Sequence, residues 1–288
     1  MPIDEALIRA LLATQHPDLA DRPLRIVAEG WDNVLARLGD DLVVRMPRRA
    51  LAAPLVAHEQ RWLPELAPRL PLPVPVPVRL GAPGAGFPWT WSICPWFAGE
   101  SAATAPLADP AAAATVLAGF LAALHRPAPQ EAPANAFRGV PLAARDANVR
   151  GYLDRLGARV EQVVVRRRWD ASRALPPYTG APLWVHGDLH PGNLLVRDGA
   201  LAAVVDFGDL TAGDPAVDHG VAWMLFAPAE RARFRAALGG IDDVAWRRAA
   251  GNALAHGLAC LAGAADAPPL AAMGRRTVAA VLADRELE

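Results

Sequence analysis

Two carboxylates and one amide stand at spacings that suit chemistry on a phosphate ester. Asp188 and Asn193 share a polar stretch that follows apolar residues, five positions apart, and Asp206 directly follows the apolar run 201–205. Transfer of a phosphoryl group needs a carboxylate to take the proton of the attacking hydroxyl and oxygen ligands for the magnesium that neutralises a triphosphate. The spacing therefore predicts Asp188 as catalytic base and Asn193 and Asp206 as Mg2+ ligands.

The stretch 186–193 reads His-Gly-Asp-Leu-His-Pro-Gly-Asn, and 206–208 reads Asp-Phe-Gly. Together they resemble the aminoglycoside and macrolide phosphotransferases, relatives of protein kinases whose catalytic loop begins His-Gly-Asp. The likeness continues through residues 213–218 and back to the N-terminal strands, so it covers most of the chain. It implies an α+β, two-lobed protein-kinase-like fold, with an N-terminal antiparallel sheet plus a helix and a mostly helical C-terminal lobe. It also implies that His186 braces the loop.

The elements that must position these residues follow from hydrophobic periodicity. Helical spacing predicts helices over 3–15, 51–66, 110–125 and 141–168, and short apolar runs predict strands over 24–27, 33–38, 42–46, 89–97, 193–196 and 201–205. Prolines at alternate positions over 71–77 predict an extended connector. Since strands give way to helices near residue 98, we expect a nucleotide-binding lobe at 1–97 and a catalytic and acceptor-binding lobe at 98–288.

Phosphate contacts are predicted in the N-terminal strands. Gly30, Asp32 and Asn33 occupy the first turn, where backbone N–H groups could cradle phosphate oxygens, although ordinary turn chemistry also explains them. The resemblance places Arg45 where kinases have a phosphate-binding lysine, with Glu59 as its partner. The chain contains no lysine, so any phosphate clamp must use arginine. The neighbouring arginines 48 and 49, or an ordinary surface pair at Arg45 and Glu59, are the alternatives.

By the same resemblance, residues 91–96 form the strand and hinge that receive the nucleotide base, with Ser92, Cys94 and Trp96 as binding positions. Recognition there uses backbone groups, so ATP and GTP both remain open as the phosphoryl donor. The expected cofactors are therefore Mg2+ with ATP or GTP.

Bulk composition favours small-molecule partners. The formal net charge is -1 and the hydrophobic fraction 53%, without a basic run that would indicate a nucleic acid or a membrane surface. Two cysteines give no disulfide framework, and the N-terminus starts with acidic residues rather than a basic leader flank. We expect a cytoplasmic enzyme without transmembrane segments, whose partners are a nucleoside triphosphate and a hydroxyl acceptor.

The expected acceptor is an aminoglycoside or a macrolide antibiotic. A polycationic aminoglycoside needs several carboxylates and a macrolide needs a broad apolar groove. The apolar run 223–226 with Trp246 favours a groove, although such a run is more often core; the candidate carboxylates are Asp209, Asp218, Asp242 and Asp243. The alternatives are a metabolic kinase of the same fold, acting on choline, homoserine, a sugar or a fructosamine, and a non-catalytic nucleotide-binding module.

Overall fold

The computed structural model describes residues 2–263 and 268–287. The chain divides into two compact units, the first formed by Met1–Ala98 with Ala203–Leu210 and the second by Gly99–Ala202 with Thr211–Glu288. The short return of the chain into the first unit carries Asp206. The sequence-based boundary near residue 98 assigns this segment to the second lobe.

The first unit is built on a five-stranded antiparallel sheet in the order β1-β2-β3-β5-β4. Its strands are β1 (Leu24–Glu29), β2 (Asn33–Leu38), β3 (Leu42–Pro47), β4 (Arg79–Gly81) and β5 (Trp91–Pro95), and its helices are α1 (Glu5–Gln15) and α2 (Ala53–Leu66). The predicted antiparallel meander with a following helix is confirmed.

The core of the first unit lies between α1 and the sheet. Ile8, Leu11 and Leu12 are fully buried on one side of α1, as their helical spacing predicts, and pack with Trp91 of β5. A Cβ at Gly81 would lie 1.9 Å from the Trp91 ring, so only glycine fits there. This close contact sets β4 beside β5. A strand of three residues is too short to show alternation, and β4 was missed.

The second unit is mostly helical, with two small sheets in the orders β6-β8-β9 and β10-β7. Its helices are α3 (Pro110–Leu124), α4 (Asp146–Leu156), α5 (Gln162–Arg173), α6 (Ala216–His219), α7 (Val221–Leu225), α8 (Pro228–Ala237), α9 (Asp243–Gly263) and α10 (Pro268–Leu282). Its strands are β6 (Glu100–Ser101), β7 (Leu183–Val185), β8 (Leu194–Arg197), β10 (Thr211–Gly213) and the start of β9 (Ala200–Val204), whose last two residues belong to the return into the first unit.

The longest helix, α9, organises the second unit. Buried residues run along its length, and it packs against α10, α6, α4 and α5. A Cβ at Gly274 would lie 2.7 Å from the Gly257 carbonyl oxygen, so the two glycines allow α9 and α10 to approach closely. The single helix predicted over 141–168 is wrong: Gly157, with φ of +52°, ends α4, and the chain restarts as α5.

Within the described part of the chain, no helix has the length and apolar character needed to cross a bilayer.

Candidate active site

The backbone of the loop that carries Asp188 is hydrogen-bonded to a buried carboxylate, that of Asp218. Strand β7 ends at Val185, and the backbone N–H groups of His186 and Gly187 donate to the two oxygens of Asp218 at 2.8 and 2.9 Å. His125 Nε2 lies 3.0 Å from Asp218 Oδ2. Burial acts to raise the pKa of Asp218, but hydrogen bonding and charge from His125 and its other neighbours outweigh it and the pKa is lowered. Asp218 therefore stays ionised as a brace, and it is not an acceptor contact.

The histidines of the loop act through their ring nitrogens. His186 is fully buried, and its Nδ1 accepts from the Asp188 N–H at 3.3 Å, in agreement with the implied bracing role. His190 Nδ1 accepts from the Gly192 N–H at 3.0 Å, which places its ring proton on Nε2. That nitrogen lies 3.6 Å from Asp188 Oδ2. The His190 proton is therefore directed at the Asp188 carboxylate.

The Asp188 carboxylate is a quarter exposed and surrounded by basic side chains. Arg138 Nη2 lies 2.5 Å from Oδ1, and His256 Nδ1 lies 3.7 Å from the same oxygen. Burial acts to raise the pKa of Asp188, but Arg138, His190 and His256 outweigh it and hold the pKa well below its usual value. The Asp188 carboxylate is therefore ionised at neutral pH. Arg138 and His256 were missed because they lie far from the loop in sequence.

Asp188, His190 and His256 bring possible ligand atoms within 4.8 Å of one another, a spacing that would suit a metal ion. However, a metal at His190 Nε2 would have to displace the ring proton, and Nδ1 could not take that proton while it accepts from Gly192. The two imidazoles are therefore polar neighbours of the Asp188 carboxylate, at 3.6 and 3.7 Å.

Arg138 sits on the segment between α3 and α4, which is anchored on both sides of it. Thr211 Oγ1 donates to the Pro133 carbonyl at 2.6 Å, and the Asp214 N–H donates to the Gly139 carbonyl at 2.9 Å. Gly139 has φ of +64°, and a Cβ there would lie 3.0 Å from Gly213 Cα. The guanidinium that contacts Asp188 thus has a defined backbone position.

Asn193 has its amide nitrogen engaged within the loop. Nδ2 donates to the Asp188 carbonyl at 2.9 Å, which orients the side chain. The oxygen Oδ1, the atom that a hard cation prefers, takes no part in this bond. The side chain therefore fits the predicted ligand role.

In the first unit, Arg45 forms ion pairs with Glu59 and Asp206, two carboxylates to which the sequence analysis assigned a site role. Its Nε lies 3.2 Å from Glu59 Oε2, and its Nη2 donates to Asp206 Oδ1 at 2.7 Å. Burial of Arg45 acts to lower the pKa of its guanidinium, but the charges of Glu59 and Asp206 outweigh it and the pKa is raised. Asp206 is half exposed and has φ of +62°, a backbone conformation that is costly outside glycine. The predicted Arg45–Glu59 pair is thus present, and it includes Asp206.

The turn between β1 and β2 is held by arginines. The Gly30 N–H donates to the Asn33 carbonyl at 2.8 Å, and Arg48 Nη1 donates to the Gly30 carbonyl at 3.0 Å. Arg49 Nε donates to Asp32 Oδ1 at 2.6 Å. Asn33 is buried and its Oδ1 has no hydrogen-bond partner. Arg48 and Arg49 therefore support the turn, which places positive charge beside its backbone.

At the positions predicted to bind the nucleotide base, Ser92, Cys94 and Trp96, backbone groups are more available for contacts than side chains. Ser92 and Cys94 are buried on β5, and Gln60 Nε2 donates to Ser92 Oγ at 3.1 Å. The Trp96 N–H donates to the Asp41 carbonyl at 2.7 Å. A contact from Trp96 to a nucleotide base would therefore use its carbonyl or its ring.

An ionised carboxylate on a braced loop of a helical unit, and an Arg–Glu–Asp cluster beside an antiparallel sheet, are features of a kinase-like phosphotransferase. Residues 23–251 match the family described as the phosphotransferase enzyme family (APH). The chain belongs to this family, and it is a phosphotransferase with an alcohol group as acceptor. A comparison with curated protein sequences gives no match.

Solved structures share the fold along almost the whole chain. The GDP and kanamycin complex of APH(2")-IIIa aligns at 20% identity and a TM-score of 0.74, over 95% of this chain and 97% of that one. Macrolide 2'-phosphotransferase MphH from Brachybacterium faecium, an apoenzyme, aligns at 26% identity and a TM-score of 0.63, over 97% and 98%. The resemblance and the kinase-like α+β fold predicted from the sequence are confirmed.

Proposed function

We propose that the chain transfers the terminal phosphoryl group of ATP or GTP to a hydroxyl of a small molecule, with Asp188 as the base. The observation that carries this proposal is the ionised Asp188 carboxylate on a loop braced by Asp218. The acceptor oxygen forms a bond to the terminal phosphorus, and the bond from that phosphorus to the bridging oxygen breaks. The nucleoside diphosphate leaves with the bonding electrons, and Asp188 takes the hydroxyl proton.

The residues present fit a magnesium-bound nucleotide. Asp206 and Asn193 provide the carboxylate and amide oxygens that Mg2+ prefers, and we propose both as its ligands. Magnesium would neutralise charge on the phosphates. Arg45, oriented by Glu59, would hold a phosphate oxygen through its forked guanidinium.

Nucleotide use is supported by the relatives, since the APH(2")-IIIa complex and wild-type aminoglycoside 2'-phosphotransferase-IIIa both contain GDP. We propose that the turn backbone at Gly30, Asp32 and Asn33 contacts phosphate oxygens. Residues 92–96, including Ser92, Cys94 and Trp96, would contact the base through the backbone of β5 and the residue after it. The choice between ATP and GTP stays a question for kinetics.

The acceptors of the relatives are an aminoglycoside for APH(2")-IIIa, which binds kanamycin, and a macrolide for MphH. These two classes are the first acceptors to test, and they remain the prediction made from the sequence. The metabolic alternatives of the same fold, namely choline, homoserine, a sugar or a fructosamine, belong in the same panel.

The test is nucleoside diphosphate release from magnesium-ATP and magnesium-GTP against this panel, with Asp188→Asn as the matched blank. Transfer that depends on the acceptor and falls by at least about a hundredfold in the blank would support the proposal, because a positioned base contributes about 10²–10⁴-fold. Full activity of Asp188→Asn would contradict the role of the base. Nucleotide binding without turnover on any acceptor would favour the non-catalytic module.

A further inference from the structure

The two oxygens of the Asp188 carboxylate lie in different surroundings. Oδ1 is buried, and among residues 2–263 and 268–287 no group donates to it in hydrogen-bond geometry. A quarter of the Asp188 side chain is nevertheless exposed, so an acceptor hydroxyl reaches the carboxylate at Oδ2. His190 Nε2, which carries the ring proton, lies 3.6 Å from Oδ2. Oδ1 is therefore stabilised from within the protein, and Oδ2 is the oxygen that is open to the acceptor.

Arg138 supplies the positive charge beside the buried oxygen. Its Nη2 lies 2.5 Å from Oδ1, and its side chain is 19% exposed. His256 Nδ1 lies 3.7 Å from the same oxygen, which is beyond hydrogen-bond distance. Burial lowers the pKa of His256 to about 3, so its ring is neutral at neutral pH. Burying a carboxylate oxygen is costly without a charged partner, and the Arg138 guanidinium provides that charge.

The backbone of Arg138 is fixed by local hydrogen bonds. Asn135 Oδ1 accepts from the N–H groups of Phe137 at 2.8 Å and of Arg138 at 3.2 Å. The Gly139 carbonyl accepts from the Asp214 N–H at 2.9 Å, which ties the residue after Arg138 to the end of β10. A fixed backbone reduces the number of directions in which a long arginine side chain can point, and so favours the contact with the carboxylate.

We propose that Arg138 is a positioning residue that holds Asp188 through Oδ1, so that Oδ2 faces the acceptor hydroxyl and takes its proton. This inference rests on the proposed function. The acceptor O–H bond breaks, the proton passes to Oδ2, and the electron pair of the acceptor oxygen forms the bond to phosphorus. The terminal torsion of an aspartate has a broad preference, so a contact at one oxygen is needed to give the other a defined direction.

The first test separates kcat from KM, with the acceptor of the panel that gives the fastest turnover, water included. In Arg138→Gln we expect kcat to fall about ten- to a hundredfold while KM for magnesium-ATP changes less than about threefold, because a catalytic group misplaced by about 1 Å can cost about 10²-fold. Arg138→Lys keeps the charge and should recover part of the loss. The matched control is Arg166→Gln, which removes a partly exposed arginine of the same unit, paired with Asp154, and should leave kcat unchanged. A kcat of Arg138→Gln equal to or above that of wild type would overturn the inference, and so would a loss confined to KM.

The second test shows whether Arg138 acts through Asp188. In an Asp188→Asn background, Arg138→Gln should lower kcat less than about twofold further, because residues that act as a unit have non-additive effects. Radiolabelled ATP makes the residual turnover measurable. A general structural role of Arg138 would lower kcat by the same factor in both backgrounds, and that result would overturn the inference.

A third variant keeps the test valid if circular dichroism shows that Arg138→Gln does not fold. Asn135→Ala removes the oxygen that accepts from the Arg138 N–H, and Asn135→Asp, its matched control, retains such an oxygen. Asn135→Ala should lower kcat by about threefold or more, with Asn135→Asp closer to wild type and KM for magnesium-ATP unchanged in both. Wild-type kcat in Asn135→Ala would then overturn the inference.

Asp188→Asn alone separates the inference from the proposed function. If Asp188→Asn turns over as fast as wild type, the base assigned in the proposed function is wrong. If Asp188→Asn loses kcat as expected and the Arg138 variants do not, the inference alone is overturned.

Discussion

Replacement of Asp218 by alanine should loosen the catalytic loop by a predictable amount. The side chain accepts three hydrogen bonds, from the N–H groups of His186 and Gly187 at 2.8 and 2.9 Å and from His125 at 3.0 Å. Asp218 has no exposed surface. Asp218→Ala would leave these three donors unsatisfied, and loss of one partner from a buried charged pair costs about 3–5 kcal/mol.

Asp218→Asn has the same shape but retains one acceptor oxygen, so about half of that loss, roughly 2 kcal/mol, is expected. At about 2–4 °C per kcal/mol, the Tm of Asp218→Ala should fall by roughly 6–20 °C and that of Asp218→Asn by roughly 4–8 °C. Both variants should also lose kcat, because the loop that carries Asp188 moves. Thermal unfolding followed by circular dichroism measures the first effect and steady-state kinetics the second.

The control for Asp218 is Asp154→Ala, since Asp154 is 71% exposed and pairs with Arg166 at 3.0 Å. Surface pairs contribute about 0–1 kcal/mol, so its Tm should change by at most about 4 °C. An Asp218→Ala protein whose Tm falls no further than that of Asp154→Ala would refute the bracing role.

Three further changes test the remaining contacts. Burial lowers the pKa of His219 and of His256 to about 3, so both stay neutral in the folded protein, while the unfolded chain binds protons below about pH 6.5. The free energy of unfolding should therefore fall as the pH drops from 6.5 towards 3, by about 2 kcal/mol per histidine at pH 5. Urea unfolding curves at several pH values measure this loss. In Arg45→Lys, one ammonium cannot reproduce the contacts to both Glu59 and Asp206, so KM for the nucleotide should rise about tenfold in steady-state assays. Gly139→Ala should lower the free energy of unfolding by about 1–3 kcal/mol, because the new Cβ would contact Gly213 and the backbone at φ of +64° would be strained. Thermal unfolding measures this loss of stability.

Each of these three predictions has a control variant that isolates the cause of the expected effect. His219→Gln should flatten the pH dependence, and an unchanged slope would show that another group is responsible. Arg61→Lys alters an exposed pair on the same helix as Glu59 and should leave the nucleotide KM unchanged. Gly239 has φ of +69° with no atom near its Cβ position, so Gly239→Ala measures the backbone strain alone. Equal losses at Gly139 and Gly239 would exclude a role for the contact with Gly213.

Sequence patterns located those features of the fold that depend on local order. The meander around β1 to β3 and the helices α1 to α3 were expected close to where they occur, because their periodicity extends over several residues. The strands β4, β6, β7 and β10 have two or three residues each and show no alternation. Their positions depend on tertiary contacts such as that of Gly81 with Trp91.

The residues of the candidate site also fall into two groups, those with a sequence signal and those without one. Asp188, Asn193 and Asp206 lie in short motifs with fixed spacing, so they could be selected from the sequence. Arg138 and His256 come from the α3–α4 segment and from α9, and only folding of the second unit brings them to the loop. A lone arginine or histidine in such segments has no sequence signal.

The chain has no lysine, and both of its cysteines are buried, with burial raising the pKa of each thiol to about 12. Amine-directed reagents therefore find no side-chain target, and the native thiols hardly form the thiolate that reacts with maleimides. A cysteine placed at an exposed position such as Val163 would be the one side chain that reacts readily. A single fluorophore could then be attached to the second unit without removing any native residue beyond the one replaced.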